Sequence, residues 1–247
     1  MKYINAFYYM LIAFLVSLAS FVFYFEINDK TILKRYIVED GFSENITVVL
    51  YILSCVIFLL SWHNKKNNFY LLLALLCFFI AGEELSWAQR IFNIETPSSL
   101  NRINIQQEIN LHSLTLFSSD PVIPSSQRIF NGMMALFFLV MPISNLFKYP
   151  NKLFLKYDIP VYQLRWMSIT LLILIVRILQ KYTNHAGYFT DEVVELSASV
   201  GFWFYSISEL DKCLTKTNPP LITAPDSSIP DTGRLTSTTA SYETERP

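Results

Sequence analysis

A chain of 247 residues with 19 Lys and Arg against 20 Asp and Glu carries a net charge of −1, which excludes the strongly basic surface that a nucleic-acid partner requires. Charged residues are 16% of the chain and hydrophobic residues 52%, against about a quarter charged in an ordinary soluble domain, so the composition also speaks against a soluble class. Three cysteines, Cys55, Cys77 and Cys213, are too few and too scattered for a disulfide framework.

The apolar residues gather into six blocks, 7–25, 46–62, 69–92, 129–147, 161–180 and 191–210. Each approaches the ~20 residues that a membrane-spanning helix needs. Backbone groups must find partners within the segment in lipid, so unbroken runs of this length predict helices. The expectation is an all-α integral membrane bundle of six transmembrane helices over residues 1–210, with a long outer loop at 93–128. Lys2 gives the first block a basic start like that of a signal peptide. Its apolar run exceeds the usual 7–15 residues and no A-x-A site follows, so a retained helix is expected. Residues 211–247 are rich in Ser, Thr and Pro, which predicts a disordered tail.

Lysines set the orientation. Lys65 and Lys66 fall in one short connection and Lys148, Lys152 and Lys156 in another, with Lys2 and Lys212 on the same side. This places both termini in the cytoplasm, in a membrane expected to be the bacterial inner membrane. Glu39, Asp40, Glu44, Glu83, Glu84, Glu95, Glu108, Asp191, Glu192 and Glu195 then all face outward.

The third block turns polar in Ala81-Gly-Glu-Glu-Leu-Ser-Trp-Ala-Gln-Arg90. Glu83 lies fourteen residues beyond Phe69, about 21 Å along a helix, and so inside the outer part of a bilayer. Carboxylates there are costly and mark function or pairing. Helical spacing puts Glu83, Trp87 and Arg90 on one face. Arg177 of the fifth block reaches the same depth, which predicts an ion pair with Glu83 or Glu84. One arginine neutralises one carboxylate, so the second needs a proton, a metal or another partner.

In the outer loop, apolar residues at 103, 105, 109 and 111 alternate with Asn104, Gln106, Glu108, Asn110 and His112. The pattern fits an extended segment, and a helix is the alternative. Asn104, Glu108 and His112 share one side in both. They form a candidate general-base or metal site, or else the solvated face of a segment lying on the membrane.

Asp191, Glu192 and Glu195 open the sixth block, with Thr190 as a possible cap and His185 just before it. Asp191 and Glu195 are a like-charge pair at i, i+4, which a bound cation would relieve. These groups predict one shared pocket at the outer rim. In it Glu83, Glu84, Glu108 and His112 do acid–base work, and Arg90, Arg177, Trp87, Gln89 and Asn104 hold the substrate. Glu84, Glu108, His112, His185, Asp191 and Glu195 are candidate ligands for a divalent ion. Imidazole with carboxylate suits Zn or Mn, and carboxylates with amides suit Ca or Mg.

The strings Glu39-Asp-Gly-x-x-Glu44, Gly82-Glu-Glu-x-Ser-Trp-x-Gln-Arg90 and Asn104-x-Gln-x-Glu-x-Asn-Leu-His112 resemble the signature of a group of bacterial multi-pass membrane proteins with no assigned activity, over residues 36–205. The Glu83-Glu84 pair is faintly similar to that of CAAX-type intramembrane glutamic proteases. Those proteases carry an Arg four residues after the second Glu, where Arg90 here stands six after it. A Phe four residues before a His is their second motif, and Glu108 and Lys181 occupy that place here. Alkaline-ceramidase-like hydrolases are similar in architecture, with acidic helix starts, Ser and three zinc-binding His. The leading expectation is an outer-leaflet hydrolase or transferase acting on a lipid or lipid-linked substrate. An ion-coupled transporter and a non-catalytic assembly or sensor subunit are the alternatives.

Overall fold

The computed structural model describes residues 2–28, 31, 33, 42–111, 113–115, 126–183 and 188–217. Among them the regular structure is helical: α1 (Lys2–Asn28), α2 (Phe42–Lys65), α3 (Asn68–Glu84), short α4 (Gln89–Phe92) and α5 (Ser98–Asn101), α6 (Ser126–Ala135), α7 (Met141–Ser144), α8 (Lys148–Lys156), α9 (Met167–Thr183) and α10 (Tyr188–Thr217). A π-turn, Leu136–Val140, joins α6 to α7, and a 3₁₀ turn, Leu164–Trp166, leads into α9.

Two helices are long and apolar enough to cross a membrane, Asn5–Asn28 and Ser43–Lys65. A third crossing arises if Arg128–Ser144 and Lys148–Lys156, bent by 110° at their junction, act as one broken span. The remaining blocks fall short for physical reasons. α3 and α9 have 17 residues each, about 26 Å of helix against ~30 Å of hydrocarbon. α10 has 30 residues but carries polar and acidic groups along its length.

α10 is the central element, packed against α1, α2 and α9. Its buried positions run round the whole helix, from Val193 and Val194 through Ala198, Val200, Phe202, Phe204 and Tyr205. Interleaved Ser197, Ser199 and Ser206 turn their hydroxyls back onto carbonyls of the same helix, which satisfies them without an outside partner. Small side chains let the neighbouring backbones approach. The helix runs to Thr217, so residues 211–217 belong to it rather than to the tail; the rest of the tail lies outside the described residues.

α1 contributes Tyr8, Leu15, Ala19 and Val22, spaced 7, 4 and 3 along one face and all buried. The first block is thus part of the core. The Tyr8 hydroxyl donates to the Trp166 carbonyl at 2.8 Å, and Tyr162 donates to the same oxygen at 2.9 Å. Thr170 donates to the Phe138 carbonyl at 3.1 Å. Both acceptors lie where the helix ladder is interrupted, so the side chains supply the missing partners.

Candidate functional site

The site is built on an abrupt end to α3. Leu85 closes the helix, its N–H donating to the Ala81 carbonyl at 3.1 Å. Ser86, Trp87 and Ala88 then take φ values of 46°, 54° and 63°. Three successive non-glycine residues in the left-handed region cost roughly 1–2 kcal/mol each. The predicted third helix through Phe92 is therefore broken, and the shared face of Glu83, Trp87 and Arg90 does not exist as a helical face. The side chain of Arg90 is outside the described residues.

The break turns Trp87 back over α3. Its indole N–H donates to Glu83 Oε1 at 2.7 Å. The ring lies edge-on to Phe79 and Phe78, with centroids at 5.7 and 6.2 Å. Gly82 makes room for it, since a Cβ there would come within 2.9 Å of the ring. Gly82→Ala is accordingly expected to cost about 1–3 kcal/mol by overpacking. Thermal unfolding in detergent would show this, and the loss should largely vanish in a Trp87→Ala background. An equal loss in both backgrounds would count against the contact.

The loop facing this corner is neither a regular strand nor a helix. A single antiparallel bridge pairs Asn104 with Leu114. Ile105 N–H donates to the Ser113 carbonyl at 2.9 Å and Thr115 N–H to that of Ile103 at 2.7 Å. Asn104 organises the turn between them. Its Oδ1 accepts from Gln106 N at 2.9 Å, and its Nδ2 donates to the Asn110 carbonyl at 2.7 Å and to Asn110 Oδ1 at 2.9 Å. Gln107 sits at φ 60° at the tip.

The loop docks on the corner by main-chain donors. Leu111 N–H meets Glu83 Oε2 at 2.7 Å, and Ile109 N–H meets Gln89 Oε1 at 2.6 Å. Gln89 Nε2 reaches Thr96 Oγ1 at 2.6 Å, and that hydroxyl donates to the Gln107 carbonyl at 2.7 Å. In the middle, the Ser86 hydroxyl donates to the Glu108 carboxylate. Asn110 Nδ2 lies 3.3 Å from Ser86 Oγ, 3.2 Å from Glu108 Oε2 and 3.1 Å from Gln106 Oε1. Ser113 donates to Gln106 Oε1. Ser86, Asn104 and Asn110 are buried and Glu108 half-buried. The centre thus combines a hydroxyl, a carboxylate able to take its proton, and an amide that fixes both.

Glu84 belongs to a different neighbourhood. Successive helical residues point about 100° apart, so Glu83 turns to the loop and Glu84 into the bundle. There Glu195 lies in the electric field of Glu84, Glu192, Asp191 and Arg177. Tyr51 of α2, fully buried, feels both Glu84 and Glu195. Arg177 makes its ion pair with Asp191, not with Glu83 or Glu84 as predicted. Depth fixes the height of a side chain on a helix but not its direction. Gln180 completes the cluster, accepting from Arg177 at 3.0 Å and donating to Asp191 Oδ1 at 3.2 Å. The like charges of Asp191 and Glu195 are thus moderated by a guanidinium. Thr190, expected as a cap, is buried inside α10 and donates to the buried carboxylate of Glu26.

The structure therefore brings together Glu83, Trp87, Gln89, Asn104 and Glu108 of the predicted site, and separately Glu84, Arg177, Asp191 and Glu195. His112 and His185 lie outside the described residues, as do Glu39 and Asp40. Among the described residues no three His, Cys, Asp or Glu side chains converge in a way that could hold a metal ion. Ser86, Gln106, Asn110 and Ser113 were not legible as site residues, because nothing in the string marks the left-handed corner. Comparison with protein-family models, with curated proteins and with solved structures finds no match to this chain.

Proposed function

We propose that this chain is a six-span membrane hydrolase or transferase for a lipid or lipid-linked substrate, with Ser86 as nucleophile and Glu108 as its general base, at the outer face of a membrane in which both termini are cytoplasmic. The observation that carries the reading is the Ser86 hydroxyl, held against the Glu108 carboxylate on a left-handed backbone corner. Strained non-glycine residues persist where the surrounding structure over-determines them, and active sites are the commonest such places. A nucleophile hydrogen-bonded to a base that a third group orients is the recurring arrangement of covalent catalysis, and Asn110 supplies that third group.

In this reading Glu108 takes the proton of Ser86 as Oγ attacks an acyl or phosphoryl centre. Glu108 then returns that proton to the departing alcohol. The covalent ester formed on Ser86 is cleaved by water, or by an acceptor hydroxyl, with Glu108 again taking the proton and Ser86 recovering it. Ser86 is fully buried, so the 104–113 loop must lift for substrate to enter. Glu83 and Gln89 hold that loop through main-chain N–H groups, which makes them positioning residues.

The test uses purified protein in lipid vesicles, a fluorophosphonate probe for the activated serine, and fluorogenic acyl-ester and phosphodiester lipids. Labelling and turnover by the wild type, with a fall of about 10³-fold or more in Ser86→Ala and Glu108→Gln at unchanged thermal midpoint, supports the assignment. Full activity in Ser86→Ala overturns it. The completeness of the hydrogen bonding around Ser86 favours one other reading, a non-catalytic latch. Wild-type protein inert to every probe, combined with a loosened loop in Ser86→Ala, would establish that one.

A further inference from the structure

The loop that closes over Ser86 is amphipathic in the inverted sense. Asn104, 4% exposed, and Asn110, 3%, point inward, while Asn93, Glu95, Asn101, Arg102, Gln106 and Gln107 form an exposed polar edge. The loop's apolar side chains point out, with Phe92 71% exposed, Ile105 61% and Leu111 48%. Ile91, Ile94 and Ile103 are exposed beside them. The backbone is not stretched to make this happen by chance, because Asn104 fixes the turn and Glu83 and Gln89 fix which side faces the bundle. In water such a fold would expose Ile91, Phe92, Ile94, Ile103, Ile105 and Leu111 together, against the direction of the hydrophobic effect.

The outward face does not stand alone. On α3, Leu72, Leu75, Phe78 and Phe79 are exposed along the side away from α2 and α10. Phe78 and Phe79 contact Trp87, whose exposed ring carries the apolar surface across the helix break. From there it continues onto Ile91 and Phe92 of α4. α3 packs on α2, a helix long and apolar enough to cross a membrane, so the belt along α3 lies beside a candidate span. Ile94, Ile103, Ile105 and Leu111 add further exposed apolar side chains, with the exposed Asn93, Glu95, Asn101 and Arg102 between them.

We infer that the 91–111 segment is seated in the membrane leaflet at the C-terminal end of α3, its apolar face in the acyl region and its amide network turned to the bundle, so that lipid is the partner of this surface. Irregular main chain there must find its partners in protein, as the N–H groups of Gln106, Ile109 and Leu111 do in Asn104, Gln89 and Glu83, and the exposed Glu95, Arg102, Gln106 and Gln107 belong at the headgroup level. The inference is independent of whether Ser86 is catalytic. If it is, the lid over the nucleophile opens into lipid and the substrate arrives from the leaflet.

Spin labelling tests it. Single cysteines replace Ile105 and Phe92 in a chain whose Cys55, Cys77 and Cys213 are alanine. Each is labelled with a nitroxide and reconstituted in phosphatidylcholine–phosphatidylglycerol vesicles. Collision rates with oxygen, enriched in lipid, and with a water-soluble nickel chelate are then measured. Leu75 serves as the lipid-facing reference and His63, exposed at the end of α2, as the aqueous one. The expected result at both loop positions is an oxygen-to-chelate ratio closer to that of Leu75, several-fold above that of His63. A ratio like that of His63 overturns the inference. Low collision with both reagents also overturns it, since that means protein, a second copy or another partner, covers the face. The two positions lie in separate segments, so loss of folding in one variant leaves the other to decide.

Discussion

Glu83→Ala is expected to free the 104–113 loop while leaving α1, α2 and α10 assembled. Both oxygens of this carboxylate are engaged, one by the Trp87 indole and one by the Leu111 N–H. Hydrogen bonds to a carboxylate contribute about 1.5–3 kcal/mol each, and both donors would be left in partly buried positions. The local loss is therefore about 3–4 kcal/mol, or two to three orders of magnitude in the opening equilibrium of the loop. Strain adds to it: the left-handed run at Ser86–Ala88 is offset by these same contacts, and it relaxes once they go. Amide exchange followed by mass spectrometry in micelles measures this directly. Peptides covering 103–115 should lose protection by about 10²–10³, with α10 peptides as the internal reference. Glu83→Gln, which keeps one acceptor oxygen, should fall between alanine and wild type. Equal loss of protection in α10 would mean that Glu83 supports the whole bundle, and the latch account would fail.

That network also explains which parts of the molecule could be read from the string. The helical class follows from the length of the apolar runs, because lipid leaves the backbone no other partner than itself. The pairing of Glu83 with Trp87 was visible as an i, i+4 spacing, yet it forms across a broken helix and for another reason, the fold-back of the indole onto Gly82. The corner itself was hidden. Ser86, Trp87 and Ala88 include no glycine, proline or asparagine, so no local propensity announces a left-handed run. The one available signal was Gly82, a residue without a side chain placed where a large ring must lie. Asn104 and Glu108 were singled out for their common side, and they do share the network. Asn110 and Ser113 were not, because they act through tertiary contacts that no periodicity encodes. Of the two strings, Gly82, Glu83, Ser86, Trp87 and Gln89 of the first and Asn104, Gln106, Glu108, Asn110 and Leu111 of the second touch this junction, whereas Glu84 turns into the bundle. Of the six expected crossings, two to three correspond to helices long and apolar enough to span a membrane among the described residues. Block length in a sequence includes residues that the structure spends on turns, as at 85–92 and 161–166.

Arg177→Met is the second substitution with a large expected effect, and it separates the two carboxylate neighbourhoods. It removes the guanidinium from Asp191 and Gln180 and from the field acting on Glu195. Breaking a fully buried ion pair costs ~3–5 kcal/mol because one charge is left behind uncompensated. Here the Asp191 side chain is 37% exposed and that of Arg177 21%, so solvent screens part of the loss and about 2 kcal/mol is expected. For a chain of this size that is a fall of about 4–8 °C in the thermal midpoint in detergent. The double variant Arg177→Met/Asp191→Leu removes both charges and should recover most of the fall, since an apolar pair of similar volume can stand where an ion pair stood. Two single losses that simply add in the double variant would show that the pair does not couple α9 to α10. The 103–115 peptides give the deciding comparison. Arg177 lies in the Glu84 neighbourhood, so its removal should leave their exchange as in wild type, whereas Glu83→Ala raises it. The opposite pattern would mean that Glu83 and Glu84 serve one centre after all.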